Sequence, residues 1–302
     1  MTIEQAIALI PSWQRATRLD VTPLPGGVTN VNYRVDVDGE SFVVRIAAAA
    51  TERLGIDRRR EYLCAVTASQ SGVAPEVVHA RPAEGILVTR FVAGGHLSDE
   101  EMAKPDVMRR AVQAMRRYHT GPAFEGSYSP FRTIEAYLRE ARRSASLLPQ
   151  DIDEMHARIS AIEGSLSPGQ TMARPCHNDL WGSNLIDDGV EVRIVDWEYA
   201  GMGDIFFDLA NYAIYGCASD ALAEALLRAY FGAASAAAFA RLRLLQIVAE
   251  LREALWYVVA LSISPSGPDY GEHAQRHFAR CRAGLSEARL PNWLSQAQGG
   301  SR

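Results

Sequence analysis

Over the first ninety residues, apolar and polar positions alternate at short range. Residues 19–25 read as a strand that ends at Pro25-Gly26-Gly27. Residues 31–37 (Val-Asn-Tyr-Arg-Val-Asp-Val) keep the period of two that a half-buried strand requires. Asp38-Gly39 follows, a pair suited to a two-residue hairpin turn, and residues 41–46 (Ser-Phe-Val-Val-Arg-Ile) return as the next strand. The period then changes. Across 57–70, Leu63, Val66, Thr67 and Gln70 fall at helical spacing, with Gly72 as the stop. Short strands are predicted near 76–79 and 85–92.

Gly94-Gly95 interrupts this pattern, and beyond it helical spacing dominates. Helices are predicted over 99–119, 133–147, 151–163, 219–231, 235–261 and 271–287. The stretch 171–210 is irregular, holds short strands and carries most of the unusual polar residues. Residues 296–302 are predicted to be a disordered tail. No internal repeat is visible. The expectation is an α+β chain in two parts: a small antiparallel-sheet lobe over 1–92 and a larger, mainly helical lobe over 93–302.

Composition narrows the class. Of 302 residues, 48% are apolar and 22% charged, which suits a packed globular protein. The formal net charge of −5 gives no basic stripe for nucleic acid. The densest basic run, Arg58-Arg59-Arg60, reads as a solvated helix face. The apolar stretch 236–261 contains Arg241, Arg243, Glu250, Arg252 and Glu253, which excludes an ordinary membrane span. The start Met1-Thr2-Ile3-Glu4-Gln5 lacks a signal-peptide pattern. Cys64, Cys176, Cys217 and Cys281 are scattered without a CxxC pair, as expected of reduced thiols. A cytoplasmic enzyme is therefore expected, with no nucleic-acid or membrane partner. The oligomeric state is open, a homodimer included.

The chemistry concentrates in His177-Asn178-Asp179-Leu180-Trp181-Gly182-Ser183-Asn184. The spacing His, Asp two residues on, Asn five further, resembles the catalytic loop of protein kinases. Phosphoryl transfer needs a carboxylate to orient the attacking hydroxyl and take its proton, and an oxygen ligand for magnesium nearby. Asp179 is expected in the first role and Asn184 in the second. The strand 190–195 ends in Asp196-Trp197-Glu198, which places Asp196 as a second magnesium ligand. His177 is expected to be structural, and Asp204 and Asp208 to be helix caps or loop anchors.

The small lobe is expected to hold ATP. Gly26-Gly27-Val28-Thr29-Asn30 joins two strands, and a glycine-rich turn lets backbone N–H groups approach phosphates. Arg45, charged among apolar neighbours, needs a partner, and Glu61 on the following helix is the expected one. Arg45 would then meet the α- and β-phosphates. Residues 89–92, Arg90 and Val92 included, are expected to form a hinge whose backbone bonds the adenine edge.

Taken together these residues resemble the choline/ethanolamine kinase branch of the aminoglycoside-phosphotransferase superfamily, over about Leu24 to Leu285. The similar pieces are Gly-Gly-Val-Thr-Asn (26–30), Val-Val-Arg-Ile (43–46), Arg60-Glu61, the His177–Asn184 loop and Val-Asp-Trp-Glu-Tyr-Ala-Gly (195–201) leading to Phe-Asp-Leu-Ala-Asn-Tyr (207–212). The resemblance implies a protein-kinase-like fold, ATP and Mg²⁺, and a small amino-alcohol acceptor phosphorylated on oxygen. Choline and ethanolamine come first. An aminoglycoside or a thiamine-like alcohol is the alternative. A cationic nitrogen calls for aromatic rings and a carboxylate. Tyr215, Trp256 and Tyr270 are the expected rings and Glu198 the expected carboxylate. The family's acidic residue after its Asp-x-x-Asn-His motif is Tyr215 here, and its paired tryptophans are Glu253 and Trp256.

Overall fold

A computed structural model describes residues 1–25, 29–143, 148–166, 172–263 and 269–299. Gly26 and Gly27, expected at the phosphates, lie outside the described residues. The sheet of the small lobe has five antiparallel strands: β1 (Leu19–Leu24), β2 (Asn30–Val37), β3 (Glu40–Ala47), β4 (Val77–Arg81) and β5 (Ile86–Arg90), in the order β1-β2-β3-β5-β4. The β2–β3 turn is the one the sequence predicts. Asp38 and Gly39 both take positive φ, 48° and 93°, the combination that matches the twist of a tight hairpin.

Strand β3 runs through the centre of this sheet, and its alternation sorts its side chains onto two faces. Phe42, Val44 and Ile46 enter a small core with Val35, Val37, Ile86, Val88 and Trp13. A short helix α1 (Ile3–Ala8), not predicted from the sequence, closes that core with Ile3 and Ala6. Arg45 stands on the other face, toward helix α2 (Arg58–Gln70). Helix α2 buries Cys64, Ala65 and Ala68 against the larger core, so it joins the two lobes although it precedes residue 93.

The larger lobe is built on helices. The predicted helix 99–119 is two helices, α3 (Asp99–Met102) and α4 (Pro105–His119). Pro105 lacks an N–H and restricts Lys104, so one helix ends and the next begins there. After α5 (Pro130–Arg143) and α6 (Ile152–Leu166), short strands β7 (Arg174–Cys176), β8 (Leu185–Asp187), β9 (Val192–Ile194) and β10 (Gly201–Gly203) form the irregular stretch, with the two-residue β6 (Gly95–His96) pairing β8. Then come α7 (Ile205–Gly216), α8 (Asp220–Phe231), α9 (Ala236–Ile263), α10 (Tyr270–Leu285) and α11 (Leu290–Gly299). The expected disordered tail is partly helix, because Trp293 and Ala297 of α11 are buried in the core.

Helix α9 is the axis of this lobe, with α5, α7, α10 and α11 packed on it. A helix apolar on all sides has to be buried on all sides. Four of its five charges are buried too, each with a partner: Arg241 with Asp204, Glu250 with His277, Arg252 with Asp179 and Glu253; Arg243, half-buried, pairs with Asp220. No helix among the described residues is long and apolar enough to cross a membrane.

Where the lobes meet, the loop after β7 passes close to the chain near residue 97. Gly182 accepts a hydrogen bond from the Leu97 amide at 3.1 Å, and a Cβ on Gly182 would collide with the Leu97 carbonyl oxygen. We therefore expect Gly182→Ala to lose on the order of 1–3 kcal/mol of stability, the usual cost of overpacking, since the obstacle is backbone. Thermal and chemical denaturation measure it. An unchanged melting temperature would refute the close approach.

Candidate active site

The segment His177–Asn184 is shaped from beneath by one carboxylate. Asp208, on the first turns of α7, is fully buried. It accepts hydrogen bonds from the amides of His177 (2.8 Å) and Asn178 (2.6 Å), the Tyr118 hydroxyl (2.6 Å) and His119 Nε2 (2.9 Å). Burial alone would raise its pKa, but the hydrogen bonds from His119 and Tyr118 outweigh it and hold the carboxyl below the usual range. Two consecutive amides aimed at one carboxylate turn the chain sharply, and Asn178 takes φ 68° there. Its side chain donates to the carbonyls of Cys176 and Tyr199. Asp208 is thus the loop anchor that the sequence suggested. Asp204 caps α7 at the Phe206 amide and pairs with Arg241.

His177 is neutral by its partners. The Asp179 amide donates to its Nδ1 at 3.2 Å, so the ring proton sits on Nε2 and goes to the Val195 carbonyl at 3.0 Å. Burial lowers its pKa. The imidazole stands edge-on to Trp197, with ring centres 4.7 Å apart. It ties the loop to the strand that delivers Asp196 and leaves no lone pair for a substrate proton.

Asp179 stands at the mouth of this turn. Asn184 donates to its carbonyl (2.8 Å) and to its Oδ2 (3.1 Å). Both amide hydrogens of Asn184 are spent there, which leaves its Oδ1 as a donor atom for a cation. Arg252, 1% exposed, donates from both Nη1 and Nη2 to Asp179 Oδ1 at 3.1 Å, and also to the Asn178 carbonyl. Burial raises the Asp179 pKa against the opposing pull of Arg252.

On the other wall, Arg45 forms the expected ion pair with buried Glu61 and reaches Asp196 Oδ1 at 2.5 Å. Asp196 has φ 66°, a left-handed turn that swings its carboxylate off the end of β9 toward the cleft. Glu61, Asp196 and Glu198 gather closely enough to share one cation. Hard carboxylate oxygens of Asp196 with Oδ1 of Asn184 are the donor chemistry that magnesium prefers.

Several sequence expectations need correction. Arg58 is no part of a solvated helix face. It donates to Glu61 (2.9 Å), Glu198 (3.1 Å), the Thr29 carbonyl (3.2 Å) and Thr51 Oγ1 (3.2 Å). Glu198 is not among the aromatic rings. It is buried against the start of β2, where it accepts from Thr29 Oγ1 (3.0 Å) and Asn30 Nδ2 (3.1 Å). Burial and nearby Asp196 push its pKa up to about 7. The side chains of Thr29 and Asn30 are accordingly committed to Glu198. Arg90 faces away from the cleft. Its amide donates to the Glu76 carbonyl at 2.8 Å, and its side chain pairs with Glu40 and covers Phe42. The backbone of Val92 remains the hinge candidate.

The three expected acceptor rings do come together. Trp256 and Tyr270 have centres 6.4 Å apart with Tyr257 between them, and Tyr215 joins through His277. The Trp256 indole donates to the Tyr199 hydroxyl at 2.7 Å, which fixes its plane. Sequence reading missed Arg58, Arg252 and Glu253 as site residues. For Arg252 and Glu253 a signal was present: charged residues inside an all-apolar helix must have buried partners.

A small sheet over a helical lobe, with a carboxylate, an amide oxygen and a second carboxylate at the cleft, defines a kinase-like phosphotransferase fold. The sequence profile of the phosphotransferase enzyme family matches residues 20–245, and the chain belongs to that family. It is similar to a choline/ethanolamine kinase family protein from Mesorhizobium loti, with a TM-score of 0.85 and 30% identity over 99% of this chain and 100% of that one. The fold is also that of choline kinase LicA from Streptococcus pneumoniae, at a TM-score of 0.78 and 20% identity over 94% and 98% of the two chains. Protein LicA of Haemophilus influenzae is 28% identical over 213 residues, 68% of this chain and 61% of that protein's length.

Removal of the hub should be costly. Asp208→Ala would leave His119, Tyr118 and two amides buried without their acceptor. We expect a loss of about 3–5 kcal/mol, the range for breaking a buried charged pair, read by urea denaturation. A change under about 1 kcal/mol would show that the loop holds its shape without Asp208.

Proposed function

We propose that the protein transfers the γ-phosphoryl group of ATP, with Mg²⁺, to the hydroxyl of a small amino alcohol, choline or ethanolamine. The carrying observation is Asp179, held between Arg252 and Asn184 at the cleft and facing the Arg45–Asp196 wall. Asp179 orients the acceptor hydroxyl and takes its proton as the oxygen–phosphorus bond forms. Burial, which raises its pKa, helps it accept that proton. Arg252 and Asn184 hold the carboxylate in one rotamer, so little reorganisation is needed when acceptor arrives.

Asn184 Oδ1 and Asp196 would hold magnesium, which when bound spreads the negative charge of the phosphates. Arg45, kept in place by Glu61, contributes positive charge for the α- and β-phosphates. The Val92 backbone offers hydrogen bonds to adenine. Tyr215, Trp256 and Tyr270 supply aromatic surface for a cationic nitrogen. The names of the relatives support the choice of acceptor. We also take the division near residue 92 as that between a nucleotide lobe and an acceptor lobe.

Two substitutions separate the roles. Asp179→Ala should lower kcat by at least about 10³-fold and leave ATP affinity within a few-fold, as removal of a hydroxyl-orienting base does. Asp196→Ala should weaken magnesium-dependent ATP binding as well. Product formation with choline, ethanolamine, thiamine and a kanamycin-type aminoglycoside, alongside calorimetric ATP titration, decides both. Full turnover by Asp179→Ala would remove it from this role, and unchanged ATP affinity in Asp196→Ala would remove Asp196 from the metal.

A further inference from the structure

The reaction just described uses one of the two carboxylates that rest on Arg252. The other is Glu253, 6% exposed. Arg252 Nη1 donates to Glu253 Oε1 at 2.5 Å and to Asp179 Oδ1 at 3.1 Å. Two negative groups therefore share one positive group in a nearly water-free place. A single guanidinium leaves one charge of this trio uncompensated, and buried charge calls for a partner. Among the described residues nothing donates to the second oxygen of Glu253. Two side chains of α10 nearby are engaged by Glu250 instead: His277 Nδ1 is 2.6 Å from Glu250 Oε2, and Arg280 also leans on Glu250.

The rings around Glu253 show what kind of cation would fit. Tyr257, one turn further along α9, stacks against His273 (centres 4.9 Å, planes 16° apart) and His277 (5.7 Å, 17°). Trp256 meets Tyr257 and Tyr270 nearly at right angles. Imidazoles thus already cover the Tyr257 ring, and fewer open aromatic faces remain. A quaternary ammonium has no N–H and depends on such open faces. An ammonium that still carries N–H can donate a short charge-assisted hydrogen bond to a carboxylate.

We propose that Glu253 is the specificity-determining carboxylate that reads the acceptor nitrogen, and that the site prefers an amino alcohol whose ammonium carries N–H over a quaternary one. This rests on the amino-alcohol reading above. The hydroxyl at Asp179 and the ammonium at Glu253 are then separated by one guanidinium, a span suited to two carbons between oxygen and nitrogen. The acceptor supplies the missing positive charge and leaves Arg252 in place to steady both carboxylates.

The test is a methylation series: ethanolamine, N-methylethanolamine, N,N-dimethylethanolamine and choline, at saturating MgATP, with the native protein and Glu253→Gln. The first three carry N–H when protonated and choline does not. For the native protein kcat/KM should drop roughly tenfold or more at the last methyl, mainly through KM, as expected for losing a charge-assisted hydrogen bond. Glu253→Gln should bring the ethanolamine-to-choline ratio close to one. Choline used as well as the others by the native protein overturns the proposal, with no variant required. An unchanged ratio in a folded Glu253→Gln overturns it too. No phosphorylation of any of the four, with ATP still bound, would instead overturn the amino-alcohol reading and this inference with it.

Discussion

Everything at the cleft depends on the rule that a buried charge must find partners. Asp208 shows the rule most directly. A carboxylate with no exposure survives because four donors converge on it, and two of them are backbone amides of the loop itself. The conformation of His177–Asn178 is the price of that satisfaction. Asp179 emerges toward the cleft as a geometric consequence, so the proposed base is aimed by a residue that lies beneath the loop.

The same rule joins the lobes. Arg45 on the sheet, Arg58 and Glu61 on α2, and Asp196 and Glu198 after β9 form one connected set of ion pairs. Two guanidiniums and three carboxylates are interleaved so that each charge touches its opposite. Thr29 and Asn30 extend the set to the start of β2. Movement of the sheet relative to the helical lobe would have to break several of these contacts together. Helix α2 resists it further, since Cys64, Ala65 and Ala68 pack into the larger core. The set holds three carboxylates to two guanidiniums, and Glu61, Asp196 and Glu198 lie close enough together to share a cation.

How much of this was legible in the sequence follows from the range of each interaction. The β2–β3 hairpin was readable because Asp38-Gly39 fixes its turn locally. Asp179, Asn184 and Asp196 stood out because their spacing along the chain reflects one loop and one strand end. The Arg45–Glu61 pair was readable from a charge in an apolar strand, even across a turn and a helix. The break at Pro105 was a local signal outweighed by the apolar periodicity around it. Glu198 and Arg58 were misplaced for another reason. Residue type gives no direction at a strand end or helix start, and their partners lie 140 positions apart along the chain.

Helix α9 shows why the acceptor side was the hardest to read. Its apolar run says only that the helix is buried. The charged residues within it first served to exclude a membrane span, and that exclusion is sound. Yet a charge in such a helix carries more information than the exclusion uses. Since α9 is buried on nearly all sides, Glu250, Arg252 and Glu253 have little access to water and turn to partners within the protein. Arg252 turns to the catalytic loop, Glu250 to His277, and Glu253 is left facing the rings. The packing that makes α9 the axis of the lobe therefore also selects the charge presented to the acceptor. A substitution along this helix alters core and specificity together, because both occupy the same turns.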